Sequence, residues 1–175
     1  MSKTALFYGP VGGNVDRVAN QLGEIIGKDK VIMHSVLDSK SEDVAQYDKI
    51  IFLASAIGLD QWDMKDVKDD WDRFFPELEK LSFANKTVAI VGLGDHIKYP
   101  LHFVTSIAAL GSKLIERGAN LIGTVAPEGY TFDDTEALND KGQFFGLPID
   151  EDNEEELTTE RLTNWVKQLQ PDFGF

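Results

Sequence analysis

The chain predicts an α/β fold built on a mostly parallel sheet, and three observations carry that expectation. Short apolar runs alternate with amphipathic stretches at helical spacing, later runs are apolar on both faces, and a glycine-rich turn follows the first run. Residues 1–175 are enough for one domain with a hydrophobic core and too few for two ordinary ones. Right-handed crossovers between parallel strands then place helices on both faces, a doubly wound three-layer arrangement.

Lys3 to Tyr8 is the first apolar run. Gly9-Pro10-Val11-Gly12-Gly13-Asn14 follows, and Val15, Val18, Ala19, Leu22, Ile25 and Ile26 recur on one helical face. A second strand fits Lys30 to Val36, and Ser39 with Glu42 has the spacing of a capping box opening a short helix. Lys49 to Ser55 is apolar on both faces, as the middle of a parallel sheet requires. Trp71, Phe74, Phe75, Leu78 and Leu81 give a helix strained or bent at Pro76. Lys86 to Gly92 is the next strand, and Phe103, Ile107, Leu110 and Leu114 give the helix after it. Leu121 to Val125 closes the series. Pro127 to Asp150 is too long and too aromatic for a plain connection, so it reads as an inserted excursion with short strands of its own. The last helix carries Leu162, Trp165, Val166 and Leu169, with Thr158 expected as its N-cap.

Composition excludes several classes of function. No apolar run approaches the roughly 20 residues of a membrane-spanning helix, and the absence of cysteine removes disulfides, thiolate-held zinc, iron–sulfur clusters and cysteine nucleophiles. A protein of this kind that handles electrons must borrow a cofactor. Seventeen basic against thirty acidic residues give a net charge of −13, which repels nucleic acids and anionic membranes and favours basic protein partners. The start of the chain lacks a leader pattern, so a cytoplasmic location is expected. Hydrolase and NTPase motifs are missing, since no Gly-x-Ser-x-Gly turn occurs and Gly12-Gly13 is not followed by Lys-Ser or Lys-Thr.

Ligands in open α/β sheets bind beyond the carboxyl ends of the strands, so the loops after strands one, three and four are the ones that matter. From this point the chain resembles the flavodoxins, specifically the long-chain kind whose fifth strand is interrupted by an insertion. The most specific stretches are Glu128-Gly129-Tyr130-Thr131-Phe132-Asp133-Asp134, Phe145-Gly146-Leu147-Pro148-Ile149-Asp150-Glu151-Asp152-Asn153, Leu157-Thr158, Arg161 and Trp165-Val166. Gly92-Leu93-Gly94-Asp95 with Tyr99, Asp70-Trp71, and Phe7-Tyr8-Gly9 with Gly13-Asn14 and Val18-Ala19 are also similar. The resemblance implies a five-stranded parallel sheet in order 2-1-3-4-5, bound FMN, and service as a low-potential electron carrier. Flavodoxin is the standard example of that strand order with FMN at its switch point.

The first loop joins a strand to a helix N-terminus, where free N–H groups and the helix dipole can hold a phosphate. The family pattern would place Ser or Thr hydroxyls here, and Pro10, Val11, Gly12 and Val15 stand in their places. Pro10 also lacks an N–H, leaving the amides from Val11 through Gly13 to Val15 and the Asn14 side chain as donors. At about 1.5–3 kcal/mol per hydrogen bond to a charged group, the missing hydroxyls weaken phosphate binding unless other contacts compensate. In the second loop, Ala56 and Ile57 stand where the resemblance implies Thr and Trp, and either Ile57 or Trp62 would cover the inner flavin face. Gly58 suits the carbonyl that a reduced flavin N5–H needs, because glycine lets a peptide turn over at little steric cost. Asp60, Asp63, Asp66, Asp69, Asp70 and Asp72 form either a docking surface for a basic partner or the solvated start of a helix.

The third loop, Leu93-Gly94-Asp95-His96-Ile97-Lys98-Tyr99, carries the strongest site evidence. The resemblance implies that Tyr99 stacks on the outer flavin face and that the loop backbone meets the pyrimidine edge. Asp95 suits the turn itself, His96 and Lys98 would bring positive charge towards the ring, and His102 faces either cofactor or solvent. No metal ligand set is defensible among the histidines, and the run Asp150 to Glu156 lacks the glycine of a calcium loop, so it reads as a solvated connection. The expected function is electron transfer on non-covalent FMN between redox enzymes, by a monomer whose partners are basic proteins such as a flavodoxin reductase and an electron acceptor. The alternatives are a flavodoxin-fold binding or regulatory protein with weak or lost FMN binding, and an FMN-dependent reductase.

Overall fold

In the computed structural model, which describes residues 3–55 and 69–175, β1 (Thr4–Gly9) pairs in parallel with β2 (Val31–Ser35) on one side and β3 (Lys49–Ala54) on the other. β4 (Thr87–Leu93) lies beyond β3 and pairs at its start with β5 (Asn120–Leu121) and at its end with β6 (Leu147–Ile149). The order is 2-1-3-4-5, as expected, with the fifth position shared by two short strands. The two-residue periodicity of a strand explains the layering. Ala5, Phe7, Ile50 and Phe52 face one core, whereas Leu6, Ile51 and Leu53 face the other.

The first core is covered by α2 (Ser41–Ala45), α3 (Asp70–Glu79) and α4 (Thr105–Glu116), through Val44, Trp71, Phe74, Leu78, Ile107 and Leu110. The second is covered by α1 (Gly13–Ile26) and α5 (Glu155–Phe173), through Val18, Leu22, Leu162, Trp165 and Leu169.

Several boundaries differ from expectation. α2 is not opened by Ser39, whose hydroxyl donates to the Ser35 carbonyl; Lys40 precedes the helix, and its N–H is received by Asp43. α3 runs through Pro76 to Glu79 and leaves Leu81 beyond its end. α4 starts two residues after Phe103, because Val104 takes a left-handed conformation (φ 50°) that a helix cannot include. The fifth strand stops at Leu121: Gly123 turns the chain at φ 80°, and its carbonyl accepts the Trp165 indole N–H at 2.8 Å. Val125 then leaves the sheet for a single antiparallel bridge to Phe144. Within the excursion the described residues show such bridges in place of separate strands, while its last residues return to the main sheet as β6.

The excursion shapes the site by packing on the loop before α4. Phe103 stacks on Phe132 at 5.9 Å and meets Phe144 edge-on at 6.2 Å, while the N–H groups of Asp133 and Asp134 both donate to the Pro100 carbonyl. The Tyr130 hydroxyl donates to the Pro148 carbonyl at 3.0 Å, and Arg161 lies 4.2 Å above its ring. Burial of Tyr130, opposed by the Arg161 charge, pushes its phenol up to about 12.

Candidate functional site

The first loop leaves β1 at Gly9, whose carbonyl accepts the buried Trp71 indole N–H at 2.8 Å. Gly12 (φ 103°) and Gly13 (φ 63°) make the turn into α1, a backbone path that side chains resist. Two of the donors expected to be free are already engaged. The Val11 N–H donates to Asp70 Oδ2 at 2.9 Å, and the Gly12 N–H donates to Asp16 Oδ2 at 2.6 Å. The amides of Gly13, Asn14 and Val15 remain as the first-turn donors of α1. The Asn14 side chain is drawn towards its own neighbours: its carbonyl accepts from Arg17 at 2.8 Å, and its amide donates to Asp152 at 3.5 Å.

The third loop is folded by its acidic residue. Asp95 Oδ1 accepts the N–H groups of Ile97 and Lys98 at 3.0 and 2.8 Å, and also the Asn153 side chain at 2.8 Å. This turn carries Tyr99 into a half-exposed position beside a cavity of about 460 Å³. Gly94 lets Val104 approach closely, since a Cβ there would come within 2.8 Å of Val104 Cγ1. The left-handed Val104 thus sits at the cavity wall, a costly conformation for a β-branched residue and a kind of strain that clusters at binding sites. His102 also lines the cavity, with its ring held by Glu136 at 2.9 Å. His96 turns inward instead, against a buried carboxylate: its N–H and Nδ1 lie 3.0 and 2.6 Å from Asp150 Oδ2.

That pairing corrects the reading of the acidic run as a solvated connection. Asp150 is fully buried and Glu151 nearly so. Burial alone would raise the Asp150 carboxyl, but hydrogen bonds from His96 and Asn153 outweigh it and hold the group below its ordinary range. Glu151 pairs with Arg17 at 2.9 Å and receives the Thr158 hydroxyl. Thr158 is therefore inside α5, whose N-cap is Glu154. The first two carboxylates of the run tie α1, the third loop and α5 together, an arrangement that pattern-reading by charge does not reveal.

The cavity gathers residues of the first and third loops: Pro10, Gly12, Gly13, Asn14 and Val15 with Leu93, Gly94, Asp95, Tyr99 and His102. Val11 is not among its lining residues and is half-exposed. Ala56, Ile57, Gly58 and Trp62 lie outside the described residues, as do Asp60, Asp63 and Asp66. Of the remaining acidic cluster, Asp69 caps α3 by accepting the Trp71 N–H at 3.3 Å, and its carboxyl is raised, chiefly by burial. Ser55, Val104, Thr105, Glu151 and Asp152 also line the cavity and were not anticipated. Thr105 stands out because its hydroxyl, at the start of α4, is buried with no hydrogen-bond partner among the described residues. Its position immediately before the apolar face of the fourth helix is the signal that could have found it.

The family model for flavodoxin matches residues 6–165. The flavodoxin of Haemophilus influenzae is 37% identical over 97% of this chain and 94% of its own length. Flavodoxin 1 of Escherichia coli is 36% identical over 97% and 93%, and a Nostoc flavodoxin 36% over 98% of each. Among solved structures, a Fusobacterium nucleatum flavodoxin bound to flavin mononucleotide superposes with a TM-score of 0.88 at 21% identity, covering 99% of both chains, which speaks for the fold.

Proposed function

We propose that this chain, which belongs to the flavodoxin family, carries electrons on a non-covalently bound FMN between redox enzymes and transforms no substrate of its own. The observation that carries the proposal is the cavity at the carboxyl ends of β1 and β4, walled by the two loops and by Thr105, whose hydroxyl has no partner among the described residues. The residues fit the cofactor. Tyr99 offers an aromatic face for the flavin ring, the Gly94 and Asp95 backbone and the Thr105 hydroxyl offer polar contacts, and the amides of Gly13, Asn14 and Val15 offer donors to a phosphate. Ala56, Ile57, Gly58 and Trp62 are proposed for the inner side of the ring. When bound, FMN supplies reversible acceptance of one or two electrons.

The chain's own residues set the surroundings. Asp95 and Asp152 make the cavity wall acidic, which disfavours additional negative charge inside it and would lower the potential of a ring that gains electrons. Asp95 holds the loop that carries Tyr99, and the His96–Asp150 contact fixes that loop to β6.

Redox partners follow from a carrier's role. Basic partners, among them a flavodoxin reductase, are favoured by the charge of −13. No described helix is long and apolar enough to cross a membrane; action as a monomeric, single-domain cytoplasmic protein completes the proposal. Titration of apoprotein with FMN, followed by flavin fluorescence, tests it. Saturable one-to-one binding is expected, and no binding up to millimolar FMN would refute it.

A further inference from the structure

We propose that Asp16 and Asp70 are resident anions on the first loop and set how much the phosphate of a bound flavin contributes to its affinity. The inference rests on the flavin-carrier reading above. A phosphate at a helix N-terminus gains from N–H groups that are free to receive it. Here the Val11 N–H is committed to Asp70 at 2.9 Å and the Gly12 N–H to Asp16 at 2.6 Å, so two loop donors already face a carboxylate. Pro10 has no N–H, and no hydroxyl occurs from Gly9 to Val15. A phosphate must therefore settle on the amides of Gly13, Asn14 and Val15 beside two carboxylates, or displace one of them.

Asp16 is the carboxylate placed to yield. Its Oδ2 holds the Gly12 amide, but its Oδ1 is buried without a hydrogen-bond partner among the described residues, a costly position that rotation towards solvent relieves. Its charge also reaches the end of β1, where the Tyr8 phenol is raised first by burial and then by Asp16. The nearby cation does not neutralise this pair, since Arg17 is held by Glu151 at 2.9 Å and by the Asn14 carbonyl at 2.8 Å. The site therefore recognises flavin more by its ring than by its phosphate, and FMN and riboflavin bind with comparable strength.

The test compares FMN and riboflavin titrations, read by fluorescence quenching, on the wild-type apoprotein and on Asp16→Ala and Asp70→Ala, which free the Gly12 and Val11 amides. Each variant should tighten FMN by roughly tenfold, the lower range for one hydrogen bond to a charged group, while riboflavin affinity stays unchanged. Unchanged riboflavin binding also reports that the ring site is intact. An unaltered ratio of the two affinities in both variants overturns the proposal and leaves the carrier reading standing. The wild-type protein gives a second arm that needs no variant: a preference for FMN over riboflavin of about a thousandfold, the worth of three unopposed charged hydrogen bonds, overturns it as well. Failure of both flavins to bind any of the proteins removes the carrier reading and this proposal together.

Discussion

Replacing Asp150 by Asn keeps the volume of the side chain and removes one acceptor, so its effect can be worked out from the contacts. Oδ1 receives the N–H groups of Asp152 and Asn153 at 3.1 and 3.0 Å, which an amide oxygen can still accept. Oδ2 receives the His96 N–H at 3.0 Å and lies 2.6 Å from His96 Nδ1, and there the amide presents an NH2 group to a donor. The loss of a charge-assisted bond together with a stranded N–H costs about 2–4 kcal/mol. That is a large part of a typical stability of about 5–15 kcal/mol. Urea unfolding of the apoprotein, followed by circular dichroism at pH 7, measures it. The pH dependence gives a second check. Because the folded carboxyl is held below its ordinary range, its stabilisation is complete above about pH 3.9 and drains away as the pH falls through the lower, folded value. The wild-type and Asp150→Asn proteins should converge in stability as the solution is acidified below about pH 4. A difference under about 0.5 kcal/mol at pH 7, or one that persists undiminished at low pH, would show that Asp150 does not bind the third loop to β6 in the way described.

Two further outcomes are expected. Tyr99→Ala should weaken FMN binding by roughly tenfold, the worth of an aromatic stacking contact, with little change in the urea midpoint because the side chain is half-exposed; unchanged affinity would take Tyr99 out of the site. Spectrophotometric titration of the tyrosines should find one phenol that ionises only near pH 12, and Tyr130→Phe should remove that transition, whereas a full set of normal titrations would contradict the burial described for Tyr130.

Much of the fold was legible because it depends on patterns that local sequence carries. The all-apolar run at Ile50 to Ala54 can be buried on both faces only in a sheet interior, and the helix faces of Val18 with Leu22 and of Trp165 with Leu169 can be satisfied only against it. The departures occurred where a distant group decides the outcome. Leu121 to Val125 has the composition of a strand, yet the Gly123 carbonyl is claimed by Trp165 and the chain turns away. Asp150 and Glu151 look like surface acids beside Asp152, Glu154 and Glu155, and it is His96 and Arg17, more than a hundred residues away in the case of Arg17, that take them inside. The site followed the same rule. Tyr99 and the glycines of the two loops could be found from motif and turn chemistry, but the engagement of the Val11 amide depends on Asp70, which no local pattern links to it.

The divided margin of the sheet has a consequence for how this protein meets others. Beside β4, the outermost position is filled by a two-residue and a three-residue strand, with the excursion folded between them. Neither offers a row of unpaired backbone groups long enough to template another chain, which is the usual route by which a bare margin leads to aggregation or swapping. At this margin, encounters are left to side chains and surface charge, a form of contact that can be made quickly and broken quickly. For a molecule that must collect electrons from one protein and leave with them for another, a border on this side that cannot be zipped to a neighbour favours meetings that stay reversible.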